Sequence, residues 1–193
     1  DPAGRFGFEA ELVGRDVDVA VVEGGERAFA FDDREPRASV AVQRALAGVH
    51  GVLVPGGFGE RGLEGKIRAI QWARENGTPF FGICLGMQCA VIEYARNVLG
   101  LEDAHFLEHS PNTENPVISL MDDQEGVPLG GTMRLGAYAC DLRPGTLAAD
   151  LYGANHVDER HRHRYEFNNR FRDLFEASEM TISGVNPERD LVE

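Results

Sequence analysis

The stretch Gly82–Gly86, with the sequence Gly-Ile-Cys-Leu-Gly, places a cysteine in a setting that suits nucleophilic catalysis. An apolar run over 78–83 predicts a buried strand before it, and apolar residues at helical spacing over 87–99 predict a helix after it. A sharp turn between them exposes Cys84 at a helix N-terminus, where the helix dipole and backbone N–H groups favour a thiolate. The flanking glycines suit such a turn, because a Cβ there would collide. We therefore expect Cys84 to be a nucleophile.

The other two cysteines fit the more common role of a small buried hydrophobic residue. Cys89 lies inside the predicted helix, and Cys140 ends an apolar run that is typical of a strand. Three cysteines without a Cys-x-x-Cys pair argue against both a disulfide framework and a zinc site. The sequence therefore predicts no metal site and a reducing, cytoplasmic location.

A second glycine loop, 55–59, follows another compact apolar strand at 51–54. In a parallel sheet this loop and Cys84 would lie at the same carboxyl edge. Backbone N–H groups of the loop and of Leu85 would then form an oxyanion hole. The alternatives are a phosphate-binding turn or merely a tight turn, although the loop lacks both the Gly-Lys-Ser/Thr of a P-loop and a Gly-x-Gly-x-x-Gly pattern.

The densest polar run is 159–166, Glu-Arg-His-Arg-His-Arg-Tyr-Glu. In an extended strand its three arginines share one face, and His161 and His163 share the other. A solvated charged strand is the ordinary interpretation, and a metal site has no obvious third ligand. The other interpretation is a guanidinium that binds a substrate carboxylate through two hydrogen bonds.

The elements that position these residues follow an α/β pattern. Strand, glycine loop and helix recur twice between residues 49 and 100, with one helix over 63–76, which predicts a parallel sheet with crossover helices. Beyond residue 100 we predict strands at 117–121, 133–142 and 180–185, a short helix or turn at 145–152, part of a helix at 171–176, and an acidic connection at 122–131. The first 48 residues are the least readable, with strands at 17–22 and 27–31 around a turn at 23–26 and a helix at 36–47.

Composition narrows the classes of partner. A chain of 193 residues that is 42% hydrophobic can bury the core of one domain. Its formal net charge of −13 argues against nucleic-acid backbones and anionic membranes as partners. No apolar run reaches the length of a membrane span, and no signal peptide is recognisable.

Four motifs, at 54–62, 82–88, 130–136 and 159–169, together resemble the glutaminase domain of the CTP synthases, which are class I, triad-type glutamine amidotransferases. The first two are found broadly among amidotransferases, and the last two are peculiar to CTP synthases. The resemblance covers about residues 49–193. It implies a three-layer α/β sandwich with a mostly parallel central sheet, as one amidotransferase domain over 1–193 in which 1–48 diverges from the family pattern.

The resemblance also implies roles for individual residues. Cys84 would attack the γ-carboxamide of L-glutamine and form a glutamyl thioester. Glu108 would hold the substrate amino group, and Arg164 would lie near its carboxylate. The remaining implied oxyanion and substrate contacts are Gly57, Leu85, Gly86, Met87 and Gln88.

In this family the ammonia passes to a synthetase domain, which uses ATP and Mg²⁺ to aminate UTP to CTP. The resemblance thus implies no cofactor in the glutaminase domain, the synthetase domain as a partner, and a homo-oligomeric full-length protein. The family's triad histidine and glutamate lie in a His-Pro-Glu motif, and none of the six histidines here precedes Pro-Glu. We therefore expect the chain as given to hydrolyse glutamine poorly or not at all.

Two other functions fit parts of the pattern. One is a non-catalytic amidotransferase-like module that binds glutamine or a partner protein. The other is a Cys–Glu-type relative, such as a stress-response hydrolase or chaperone, against which the motifs at 130–136 and 159–169 argue.

Overall fold

The computed structural model describes residues 19–21, 37–60, 62–120 and 133–193, and it divides into two compact units, Asp1–Val98 and Leu99–Glu193. The strand predicted at 27–31, the turn at 23–26 and the whole connection at 122–131 lie outside the described residues. The structure therefore does not test these three predicted elements.

The first unit alternates strands with helices. Its elements are β1 (Val19–Val21), α1 (Arg37–Leu46), β2 (Gly51–Val54), α2 (Leu63–Glu75), β3 (Phe80–Gly82) and α3 (Leu85–Asn97). The strands pair in parallel in the order β1-β2-β3. Val54 and Gly82, the last residues of β2 and β3, are register partners, so the two loops that follow start at the same sheet edge. The repeated strand–loop–helix pattern predicted for 49–100 is confirmed.

Helices α2 and α3 are held together by apolar packing and by two ion pairs. Their buried positions include Ile67, Ile70, Ala73, Val91, Ile92 and Ala95. Arg74 donates to the buried carboxylate of Glu93 at 2.8 Å, and Arg96 donates to Glu64 at 2.8 Å. Each of these two helices has 13 residues. Among the described helices, none is long and apolar enough to cross a membrane.

The second unit is built mainly from antiparallel strands. Its elements are β4 (Ile118–Leu120), β5 (Arg134–Leu142), α4 (Leu147–Tyr152), β6 (His156–His163), β7 (Tyr165–Phe167), a 3₁₀ turn (Asn169–Phe171), α5 (Arg172–Glu176), β8 (Gly184–Asn186) and β9 (Leu191–Val192). The strands β4 and β7 form one sheet, and the other sheet has the order β6-β5-β8-β9. Every pairing between these strands is antiparallel.

The α/β class is confirmed, and three details need correction. The parallel arrangement is seen in the first unit, whereas the described strands of the second unit pair in antiparallel fashion. The strand predicted over 180–185 begins only at Gly184. The charged run 159–166 is not one extended strand, because it breaks at Arg164 between β6 and β7.

Candidate active site

Cys84 occupies a strained turn between β3 and α3. Its backbone has φ 54° and ψ −107°, a region that residues with a Cβ rarely adopt. Hydrogen bonds close the turn, since Gly86 N donates to Ile83 O at 2.9 Å and Gln88 N donates to Cys84 O at 3.1 Å. Such a conformation costs about 1–3 kcal/mol and recurs at functional sites. The predicted strand–turn–helix setting of Cys84 is confirmed.

The two glycines of the turn leave no room for a side chain. A Cβ on Gly82 would lie 2.6 Å from the carbonyl carbon of Gly86 and 2.7 Å from the nitrogen of Met87. A Cβ on Gly86 would overlap the carbonyl oxygen of Val54 and lie 2.9 Å from its carbonyl carbon. Because these neighbours are backbone atoms, the close approach of α3 to β2 requires glycine.

The glycine loop after β2 lies against the cysteine turn. Ile83 N donates to Val54 O at 2.9 Å, which joins the ends of the two strands. The Cβ position of Gly56 is 3.4 Å from Cβ and 3.8 Å from Sγ of Cys84. The Cβ position of Gly57 is 3.3 Å from Cδ2 of Leu85. The structure thus brings together the two loops that the sequence assigned to one sheet edge.

The predicted contacts that follow the cysteine differ in exposure. Leu85 and Gln88 are buried at 5% and 7% exposure, and Met87 is half-buried. Cys84 itself is half-buried. Gly86 is buried against Val54, so it shapes the turn. Their roles toward a substrate remain predictions.

The three thiols differ in their surroundings. Cys89 is fully buried, and burial raises the pKa of its thiol to about 12. Cys140 is 2% exposed, and burial is also the main cause that raises the pKa of its thiol to about 11. Both thiols are therefore protonated and shielded at neutral pH, as the sequence predicted for core cysteines.

Glu108 is placed in the second unit by a short pairing with β4. Leu107 N donates to Ile118 O at 2.9 Å, and Phe106 and Ile118 form a parallel bridge. The Glu108 side chain follows this pairing and is 49% exposed. It therefore presents a carboxylate to solvent from an ordered segment.

Arg164 lies next to Tyr165, which begins β7 and pairs with Leu120 of β4. The Arg164 side chain hydrogen-bonds Tyr165, while its buried Nε finds no acceptor among the described residues. The pKa of Tyr165 is raised by burial and then by the charge of Glu108, and Arg164 opposes this. Glu108 and Arg164, the two charged side chains predicted to bind substrate, thus act in opposite directions on the pKa of Tyr165.

Neither His161 nor His163 of β6 is fully solvated, which corrects the interpretation of 159–166 as a solvated charged strand. Arg160 and Arg162 are exposed as that interpretation expects, but His161 is only 8% exposed and His163 is half-buried. Alternation along β6 turns the histidine face inward. The sequence pattern showed two faces, but only the structure shows which one is covered.

A buried polar cluster lies beneath this face, and sequence reasoning missed it. We call Arg134, His161, His163, Glu166 and Glu193 the Arg134 cluster. Arg134 is fully buried and donates to Glu166 at 3.2 Å and also to Glu193. His161 Nδ1 lies 3.1 Å from His163 Nδ1, and His161 Nε2 lies 3.3 Å from Glu193. No spacing rule links these positions, because they come from four separate segments.

Burial shifts the titration of this cluster. Burial, then Arg134 and His163, lowers the pKa of His161 from 6.5 to about 4. Burial and Arg134 also lower the pKa of His163. Burial raises the pKa of Glu166 to about 7, with Arg134 opposing it. The cluster therefore favours neutral imidazoles.

We expect acid to destabilise the wild-type protein more than its His161→Gln variant. The folded state favours the neutral ring of His161. The stability of the folded protein is therefore unaffected by this ring above pH 6.5 and decreases as the pH falls toward 4. Between pH 7.5 and 5 the extra loss of unfolding free energy is about 2 kcal/mol, at about 1.4 kcal/mol per pKa unit. Urea unfolding at both pH values measures it. Equal losses would contradict this, since Glu166 titrates in both proteins.

Two further observations bear on the chemistry available. Among the described residues, no group of three or more His, Cys, Asp or Glu is arranged to hold a metal ion.

His50 precedes β2, so it lies at the amino edge of the parallel sheet, while Cys84 follows β3 at the carboxyl edge. His50 is therefore unsuited to act as a base for Cys84.

Comparisons with known proteins agree with this geometry. Residues 19–193 match the sequence profile of the glutamine amidotransferase class-I family. This match begins 30 residues before residue 49, where the resemblance read from the motifs begins. A CTP synthase of Clostridium perfringens is 62% identical over 153 residues, 79% of this chain and 29% of that protein. A CTP synthase of Chloroflexus aggregans is 58% identical over 151 residues, 78% of this chain and 28% of that protein.

A solved structure shows the same resemblance in three dimensions. It is the glutaminase domain of Trypanosoma brucei CTPS with bound acivicin, at 40% identity and a TM-score of 0.74. The match covers 82% of this chain and 61% of that one. This chain spans less than a third of the length of the curated relatives that it matches. From the family profile and from this similarity, the chain belongs to the class I glutamine amidotransferases.

Proposed function

We propose that this chain is the glutaminase part of a CTP synthase and hydrolyses L-glutamine through a thioester on Cys84. The observation that carries the proposal is the strained Cys84 turn at a helix N-terminus, with Gly56 of the 55–59 loop beside it. The similarity to CTP synthases supplies the substrate class.

The proposed reaction begins when the Cys84 thiolate attacks the γ-carboxamide carbon of glutamine. The C–S bond forms, and the carbonyl oxygen becomes an oxyanion that accepts hydrogen bonds from backbone N–H groups at Gly57 and Leu85. The C–N bond then breaks, and the nitrogen takes up a proton and leaves as ammonia. Water hydrolyses the thioester, which releases glutamate and regenerates the thiol.

The resemblance to CTP synthases also assigns the groups that would recognise the amino acid part of glutamine. Glu108 would accept hydrogen bonds from the substrate ammonium group, and Arg164 would pair with the α-carboxylate. The buried Nε of Arg164, which finds no acceptor among the described residues, supports this assignment. The remaining proposed substrate contacts are Gly86, Met87 and Gln88, which follow Cys84 at the start of α3.

The remaining features of the proposal come from the family resemblance. The ammonia would pass to a synthetase domain that uses ATP and Mg²⁺ to aminate UTP, in a cytoplasmic homo-oligomer, and the glutaminase domain itself would need no cofactor. The fold would be one amidotransferase domain, a three-layer sandwich around a mostly parallel sheet. The protonating histidine would belong to a His-Pro-Glu motif, which residues 1–193 do not contain. Without it the 193-residue chain would be nearly inactive, so activity is measured on the full-length gene product.

Replacing Arg164 with alanine is expected to raise KM for glutamine about 10- to 100-fold, which corresponds to about 1.5–3 kcal/mol for a hydrogen bond between charged groups. Steady-state glutamate release measures this effect. CTP formation from added ammonia should stay near the wild-type rate, because ammonia bypasses glutamine binding.

Arg162→Ala is the matched control, since Arg162 is an exposed arginine two residues earlier. It should leave KM for glutamine within about 2-fold of the wild type. An equal fall of both activities in Arg164→Ala would make Arg164 structural. Glutamine binding without any glutamate release by the wild type would favour the non-catalytic module instead.

A further inference from the structure

Arg164 separates two strands that belong to different sheets. β6 ends at His163 in the four-stranded sheet, and β7 begins at Tyr165 in the two-stranded sheet. The direction of the Arg164 side chain therefore depends on how the two sheets meet at this bend.

The carboxylate of Glu166 joins the two sheets beside the bend. Glu166 lies on β7, opposite Ser119 of β4, and is 4% exposed. Arg134 lies on β5, opposite His163 of β6, and is fully buried. Arg134 Nη1 donates to Glu166 Oε1 at 3.2 Å, so an ion pair spans the junction that carries Arg164.

Other groups restrict the position of the Arg134 guanidinium. Glu193, which follows β9, accepts a second hydrogen bond from it, and the ring of Tyr138 lies 4.8 Å from its central carbon. His163 Nδ1 also lies 3.7 Å from Glu166 Oε1. The partners of Glu166 are thus held on β5 and β6, while Glu166 is held on β7.

A buried ion pair is a poor device for stability alone. Removing two charges from water costs several kcal/mol, and hydrophobic replacements are often neutral or stabilising. Burial raises the pKa of Glu166 to about 7, the direction expected for a carboxylate that loses hydration. We therefore look for the role of the Arg134–Glu166 pair in the way it fixes the junction between the two sheets, and not in added stability.

We propose that Glu166 is a positioning residue for substrate binding: through its ion pair with Arg134 it fixes the bend between β6 and β7 and so directs Arg164 to the α-carboxylate of glutamine. This inference rests on the proposed glutaminase function. Glu166 acts through Arg164, whose buried Nε keeps a donor unused by the described residues.

A double-mutant cycle in the full-length gene product tests this inference. Glu166→Gln keeps the size of the side chain and removes its charge. It is expected to raise KM for glutamine about 10-fold with kcat within about 3-fold, whereas in an Arg164→Ala background it should change KM by less than about 2-fold. Asp158→Asn, which changes an exposed acid on β6, is the matched control and should leave KM unchanged.

Several results would overturn the inference while leaving the proposed function intact. These are an unchanged KM in Glu166→Gln, an equal KM increase in both backgrounds, or a loss of activity that accompanies unfolding in circular dichroism. Glu166→Asp, which keeps the charge but shortens its reach, should show a smaller KM increase. A wild-type protein without glutaminase activity would instead reject the proposed function itself, and this inference with it.

Discussion

Replacing Cys84 with alanine is expected to lower glutamine hydrolysis by about 10⁴-fold or more, because a missing nucleophile leaves only binding and oxyanion stabilisation. The Cys84 backbone has φ 54°, and alanine carries the same Cβ as cysteine, so the substitution removes the thiol without changing the backbone demand of the turn. Glutamate release by the full-length gene product measures the loss. CTP formation from added ammonia should persist, since that reaction does not use the thiol.

The other two cysteines provide matched controls for this experiment. Cys89→Ala and Cys140→Ala each remove a buried thiol whose pKa burial raises. Both variants should keep glutaminase activity within about 3-fold, although each loses some unfolding free energy through the small cavity it creates. Glutamate release by Cys84→Ala within 10-fold of the wild type would reject Cys84 as the nucleophile.

Gly86→Ala is expected to destabilise the first unit by about 3 kcal/mol or more, at or beyond the usual range for overpacking. The added methyl group would overlap the backbone carbonyl of Val54, which cannot rotate away as a side chain can. Relief requires α3 to move from β2, and such a shift would also displace Cys84. Urea unfolding measures the stability, and glutamate release should fall with it.

Gly57→Ala is the control for the stability measurement. Its added methyl group would lie 3.3 Å from Cδ2 of Leu85, the far end of a side chain and not backbone, so the expected cost is about 1 kcal/mol. A Gly86→Ala protein as stable as Gly57→Ala would show that the approach of α3 to β2 is looser than the structure has it.

The first unit was largely predictable because its signals are local. Glycines mark each turn, apolar runs mark β2 and β3, and the constraint around Cys84 acts between residues close in sequence. The same holds for α2, predicted over 63–76 and observed at Leu63–Glu75. The position of the 55–59 loop beside Cys84 was predictable because the carboxyl ends of parallel strands lie at the same edge of a sheet.

The second unit was less predictable because its organisation depends on contacts between distant segments. The run 159–166 alternates like a continuous strand, yet its ends pair with different partners, β5 and β4, and it bends at Arg164. The Arg134 cluster joins residues up to 59 positions apart. Periodicity separates the two faces of β6 but does not show which face is buried. The interpretation of the run as a solvated strand was therefore wrong for His161 and His163.

Covalent labelling by an electrophilic glutamine analogue, followed by peptide mapping, tests directly whether Cys84 is the nucleophile. At neutral pH we expect rapid modification of Cys84 alone, slowed by added L-glutamine, because Cys84 is half-buried at a helix N-terminus whereas burial keeps the other two thiols protonated. Modification of Cys89 or Cys140 with Cys84 untouched, or labelling of Cys84 that glutamine does not slow, would contradict it.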